Sequence, residues 1–188
     1  MTTKTFIVND IWLSVARSVP SPNFNDRPAS AEVNLLVLHN ISLPPEQFGS
    51  DCVERFFTNT LDHRLHPFFE QIRGVEVSAH LFIRRDGELI QFVPLNKRAW
   101  HAGLSMFRGQ ENCNDFSIGI ELEGYDTCPY TPAQYQCLVE TTHQIMAKYP
   151  EITTERITGH SDIAPGRKTD PGPAFDWQYY HQLLSHNG

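Results

Sequence analysis

Val33-Asn34-Leu35-Leu36-Val37-Leu38 is a short, nearly continuous apolar run. It is too short for a helix with two polar faces, so it reads as a strand buried on both sides. Strands of that kind lie in sheets covered by helices, which predicts an α/β fold. His39-Asn40 follows at the C-terminal end of the run, and Pro44 and Pro45 then break the chain. Open sheets bind their ligands just beyond the carboxyl ends of strands, so His39 occupies a place suited to chemistry.

The flanking sequence fits that reading. Ser117-Ile118-Gly119-Ile120-Glu121-Leu122-Glu123 alternates strictly. Ile118, Ile120 and Leu122 share one face; Gly119, Glu121 and Glu123 share the other. Ala79–Ile83 and Leu89–Val93 flank Arg84-Arg85-Asp86-Gly87-Glu88, and Asp-Gly between two apolar runs is a strong hairpin signal. Asp51–Leu61 predicts a short helix, whereas residues 62–77 show no clear period. Thr131-Pro132-Ala133-Gln134 starts a helix: Thr131 caps, Pro132 suits the first helical position, and Gln134 completes a capping box. Leu138, Thr142, Ile145 and Tyr149 recur on one face before Pro150 ends it. Arg156–Gly159 predicts a short extended segment, 161–174 a Pro/Gly-rich loop, and 174–184 a last helix. This mixture predicts one domain over residues 1–188, with a central mixed β-sheet flanked by helices. Residues 1–32, with three prolines between Val19 and Pro28, read as an N-terminal arm or loop.

Bulk properties remove several function classes. The 188 residues suit one domain with a sizeable core. A net charge of −7 carries no basic footprint, so nucleic acid is not an expected partner. No run reaches the length of a membrane span, so no membrane association is expected. The first ten residues hold one Lys and three consecutive apolar residues, with no export-signal core, which predicts a cytoplasmic protein. No obligate protein partner is evident. Cys52, Cys113, Cys128 and Cys137 are irregularly spaced without a C-x-x-C pair, so all four read as free thiols rather than zinc ligands.

Catalytic zinc takes three protein ligands and keeps a fourth position for water. His39 ends one strand, and His160 follows the extended Ile157-Thr158-Gly159. Asp170 lies in a loop stiffened by prolines on both sides, which suits a carboxylate that must return to a metal near His160. The ordinary alternatives stand beside this. A His at a strand end is usually just hydrogen-bonded, and Asp before Pro is commonly a turn former. No two of the three have a short diagnostic spacing. Spacing alone does not select this trio from nine histidines.

A resemblance does select it. Leu38-His39-Asn40-Ile41-Ser42, Ser78-Ala79-His80, Ala99-Trp100-His101-Ala102-Gly103, Asn114–Gly124 and Gly159–Pro173 occur in this order. Together they resemble the zinc N-acetylmuramoyl-L-alanine amidases, in particular those acting on anhydro-muropeptides during peptidoglycan recycling. The resemblance implies the peptidoglycan-recognition fold, one catalytic Zn2+ on His39, His160 and Asp170, a catalytic Glu at Glu121 and a catalytic Lys at Lys168. It also implies an anhydro-muropeptide substrate, cut between the lactyl group of anhydro-muramic acid and L-Ala.

The chemistry suits those residues. Zinc lowers the pKa of its water and polarises a carbonyl. Glu121 can take the water's proton and return it to the leaving nitrogen. Lys168 lies two residues before Asp170, and in extended backbone such residues project to the same side, where an ammonium can stabilise an oxyanion. Glu123, nearer the turn at Gly124, reads as a solvated strand carboxylate. Gly119 leaves room for substrate. Trp100 and His101 are candidate groove-lining residues and Asn40 a candidate peptide contact; His80 reads as a core or supporting His. Alternatives are an amidase acting on intact peptidoglycan, which needs export, and a peptidoglycan-binding module, which typically lacks a ligand. A structural zinc domain normally uses four protein ligands.

Overall fold

The computed structural model describes residues 12–186. Among the described residues ten strands occur in chain order: β1 Arg17–Ser18, β2 Phe24–Asn25, β3 Leu35–Ile41, β4 Leu81–Ile83, β5 Leu89–Gln91, β6 Arg98–Ala99, β7 Met106–Phe107, β8 Gln110–Glu111, β9 Ser117–Glu123 and β10 Ile157–Gly159. The α-helices are α1 Cys52–Phe57, α2 Pro132–Lys148, α3 His160–Ile163 and α4 Trp177–His186. Six strands form a mixed sheet in the order β1-β5-β4-β9-β3-β10. Only β4 and β5 pair antiparallel within it, as the Asp-Gly hairpin predicts. β3 pairs in parallel with β9 and β10, so it is central and buried, and its first five residues are all inaccessible.

The two faces of β3 and β9 do different work. Leu36, Leu38, Ile118, Ile120 and Leu122 join Leu138, Val139 and Ile145 of α2 and Tyr180 and Leu184 of α4 in the main core. Fully burying one such side chain is worth roughly 1.5–3 kcal/mol. The capping box of α2 is formed, Thr131 accepting from Gln134 N–H and Gln134 accepting from Thr131 N–H. The opposite face of β3 carries Leu35 and Val37, packed with Ala102, Phe116 and Ile163. By the two-residue period His39 points the same way as Leu35 and Val37. Register then places Glu121 directly beside His39.

Several boundaries differ from the sequence reading. β3 runs through His39 and Asn40 to Ile41, because β9 stays paired with it to Glu123. α1 covers only Cys52–Phe57 and ends where Asn59 turns left-handed, at φ 59°. His160 opens the short α3 instead of preceding a loop. Residues 62–77 contain two short 3-10 turns, which explains their lack of a 3.6 or 2 period. The arm is built into the fold over residues 12–32, while residues 1–11 lie outside the described residues. β1 pairs with β5, and β2 pairs with β6. The Arg27 guanidinium donates to the carbonyls of Leu95, Asn114, Asp115 and Ser117.

Candidate active site

Three side chains from separated parts of the chain converge at the sheet's C-terminal edge. Parallel pairing of β3 and β10 aligns Leu38 with Gly159, which brings His39 and His160 side by side. Their Nδ1 atoms are 2.9 Å apart, and each lies 3.0 Å from Asp170 Oδ2. The loop carrying Asp170 is tied down at its backbone. Ser161 N–H donates to Asp170 O at 2.9 Å. Pro171 O accepts from the Asn40 side-chain amide at 3.0 Å and from Tyr130 OH at 2.8 Å. Gly172 has φ 80°, and a Cβ there would lie 2.3 Å from the Asp126 Cα, so this close crossing accepts only glycine.

The donor set fits a divalent cation. His160 Nε2 donates to the Ala102 carbonyl at 3.0 Å, which leaves Nδ1 with a bare lone pair. His39 is engaged at Nε2 too, 2.9 Å from His101 Nδ1. Two bare imidazole nitrogens and a carboxylate oxygen at about 3 Å repel one another unless something positive lies among them. Burial lowers the pKa of His39 to about 4, so a neutral imidazole is its ordinary state at pH 7. Imidazole nitrogens and a carboxylate oxygen are zinc donors, and three of them leave a position open. Among the described residues, these are the group of His, Cys, Asp and Glu side chains that meets the geometry of a metal site.

A cleft of about 310 Å³ opens onto this triad, lined by Glu121, Lys168, Asn40, Trp100 and His101. Phe56, Ile72, Val75 and Val77 give it an apolar wall, of which Ile72, Val75 and Val77 lie in the stretch 62–77 that carries no periodic signal. Glu121 Oε2 is buried and has no hydrogen-bond partner. Burial, reinforced by the Asp170 charge, raises its carboxyl pKa well above normal, with Lys168 acting in the opposite sense. A carboxyl made more basic in that way is suited to taking a proton and handing it on. Lys168 and Asp170 line the same cleft.

Other side chains differ from the sequence reading. Glu123 is buried, not solvated, and accepts from the backbone N–H groups of Gly49 and Arg85. The space over Gly119 is filled by the His101 ring, since a Cβ at Gly119 would sit 2.5 Å from its Nδ1. His101 has both ring nitrogens engaged, on His39 and on Ser117 Oγ. Asn40 directs its side-chain N–H groups to Asp126 and Pro171. Trp100 is half-buried and donates from Nε1 to Asn25 at 2.7 Å. His80 is fully buried and accepts at Nδ1 from Gly119 N–H. Asp126, Tyr130 and Ser117 gave no sign of a role in the sequence, because each acts through a neighbour distant along the chain.

Comparison with known proteins identifies the family. Residues 29–173 match the N-acetylmuramoyl-L-alanine amidase family, a span that includes all five site residues. The chain is 58% identical to the 1,6-anhydro-N-acetylmuramyl-L-alanine amidase AmpD of Enterobacter cloacae, over 93% of this chain and 92% of that one. A crystal structure of a selenomethionine derivative of AmpD superposes with a TM-score of 0.92 at 53% identity, covering 95% of this chain and 99% of the other. The amidase AmiD of Escherichia coli, solved with anhydro-N-acetylmuramic acid-L-Ala-D-γ-Glu-L-Lys, superposes with a TM-score of 0.60 at 29% identity, covering 86% and 65%. With the family matched over residues 29–173 and its AmpD relatives matched over nearly their whole length, the chain belongs to the N-acetylmuramoyl-L-alanine amidase family, in its AmpD branch.

Proposed function

We propose that the chain is a zinc-dependent amidase that cuts the bond between the lactyl carbonyl of 1,6-anhydro-N-acetylmuramic acid and L-Ala in muropeptides. The observation that carries this is the convergence of His39 Nδ1, His160 Nδ1 and Asp170 Oδ2 within 3.0 Å of one another, beside the unpartnered Glu121 carboxyl. Zinc held there supplies Lewis acidity to a carbonyl and acidity to water. Glu121 takes a proton from the attacking water as its oxygen bonds to the carbonyl carbon. The same carboxyl then gives that proton to the alanine nitrogen as the C–N bond breaks, leaving a lactyl carboxylate and a free amine. Lys168 faces the oxygen on which negative charge develops. The apolar wall of Phe56, Ile72, Val75 and Val77 excludes water beside the scissile bond.

We further propose that this happens in the cytoplasm. Cys52, Cys113, Cys128 and Cys137 are all free thiols, the state a reducing compartment maintains. No helix among the described residues is long and apolar enough to cross a membrane. The substrate assignment is tested by incubating purified protein with anhydro-muropeptide and weighing the products. Release of intact stem peptide and anhydro-sugar is expected. Cleavage of intact peptidoglycan with the anhydro-muropeptide untouched overturns it.

A further inference from the structure

His39 and His160 are supported unequally on the side facing away from the triad. His160 Nε2 donates straight to a backbone carbonyl, that of Ala102. His39 reaches a backbone carbonyl only through two other side chains. His39 Nε2 lies 2.9 Å from His101 Nδ1, His101 Nε2 lies 3.1 Å from Ser117 Oγ, and Ser117 Oγ lies 2.5 Å from Cys113 O. The last atom decides the direction of the whole row. A carbonyl oxygen only accepts, so the Ser117 hydroxyl donates to it. Ser117 Oγ then accepts from His101 Nε2–H, and a neutral His101 has a bare Nδ1. That nitrogen accepts from His39 Nε2–H, so His39 presents a bare Nδ1 to His160 and Asp170.

We propose that His101 and Ser117 are positioning residues that fix the tautomer and ring orientation of His39 as a metal ligand, His101 standing in the place that a carboxylate or carbonyl usually takes behind a ligating imidazole. This rests on the zinc reading above. It also gives His101 a task other than gripping substrate. The surroundings are built to hold the ring still. Its backbone N–H and that of Ala102 both donate to Asn114 Oδ1, at 3.1 and 2.8 Å. Its ring lies on Gly119, where no side chain fits. Ser117 is completely buried, so water does not compete for the hydroxyl. Carbonyls of one connecting segment, Ala102 and Cys113, therefore orient both imidazole ligands, one directly and one by relay.

The test is zinc affinity by competition with a chelator, together with nitrogen-15 spectra of histidine-labelled protein. His101→Phe keeps a ring over Gly119 and removes the acceptor. It should bind zinc about 10–100-fold more weakly than the unsubstituted chain, the usual cost of losing such a partner. Ser117→Ala should weaken zinc binding less, and should let His39 in the metal-free protein carry its hydrogen on Nδ1 as well as Nε2. Zinc affinity in His101→Phe within about twofold of the unsubstituted chain overturns the proposal. If His101→Phe fails to fold, the spectrum of Ser117→Ala decides: a mixed His39 tautomer supports the relay and an unchanged Nε2–H overturns it. Failure of the unsubstituted chain to bind zinc would show separately, and would overturn the reading underneath.

Discussion

The sheet end that carries His39 and Glu121 and the return loop that carries Lys168 and Asp170 each give two residues to one candidate site, but they are held by different forces. His39 and Glu121 sit in paired parallel strands, in direct register, above a continuous apolar core. Their positions follow from backbone pairing and burial. Asp170 is held by point contacts: Asn40 and Tyr130 on the Pro171 carbonyl, Ser161 on the Asp170 carbonyl, and the tight crossing of Gly172 over Asp126. Damage to the strands should therefore appear as lost stability, and damage to the loop as lost metal.

The largest effect expected is purely chemical. Glu121→Gln keeps the shape of the sheet end and removes its base, so turnover should fall by about 10²–10⁴ while the bound zinc is retained. Loss of the metal as well would mean that Glu121 is a ligand, which metal analysis of the purified variant reveals. The next pair separates the two regions. Leu36→Ala, beneath the strands, should cost about 2–5 kcal/mol in urea unfolding and leave zinc affinity of the folded protein nearly intact. Gly172→Ala should do the reverse, weakening zinc by about tenfold or more with a smaller change in unfolding, because only the loop must shift. Equal losses in both assays for both variants would erase the distinction.

Acid supplies a smaller and more gradual test of the sheet side. Burial, helped by the neighbouring Arg27 charge, lowers the His80 pKa to about 3 from an ordinary 6.5. The unfolded chain takes up that proton near pH 6.5 and the folded chain only near pH 3. The stability that neutral His80 contributes is thus complete above pH 6.5 and is lost progressively as pH falls toward 3, at up to about 1.4 kcal/mol per pH unit. Urea unfolding of metal-free protein between pH 7 and pH 4 should show this slope added to that of His39, whose pKa is also lowered, and His80→Gln should make the profile shallower by up to about 1.4 kcal/mol per pH unit.

The same contrast explains what could be read from the residues alone. The run at 33–38 announced a buried strand, the alternation at 117–123 a strand with one apolar face, and the capping box at Thr131 announced α2, because each is written in the local sequence. Local alternation also put Glu121 off the apolar face. It misjudged Glu123, which is buried because Gly49 and Arg85 offer backbone donors from loops far along the chain. The ligand trio was selected by ordered motifs resembling a known family, not by spacing. The Asn40, Tyr130 and Asp126 contacts, and the row from His39 to Cys113, join residues up to 131 positions apart and leave no local pattern.

The central claim is that His39, His160 and Asp170 hold one catalytic zinc. The direct measurement is hydrolysis of anhydro-muropeptide by metal-free protein as zinc is added back. Activity should be absent at the start, rise linearly to a plateau at one equivalent, and fail to rise in His39→Ala at the same zinc concentrations. Full activity in the metal-free protein, or unchanged recovery in His39→Ala, would contradict it.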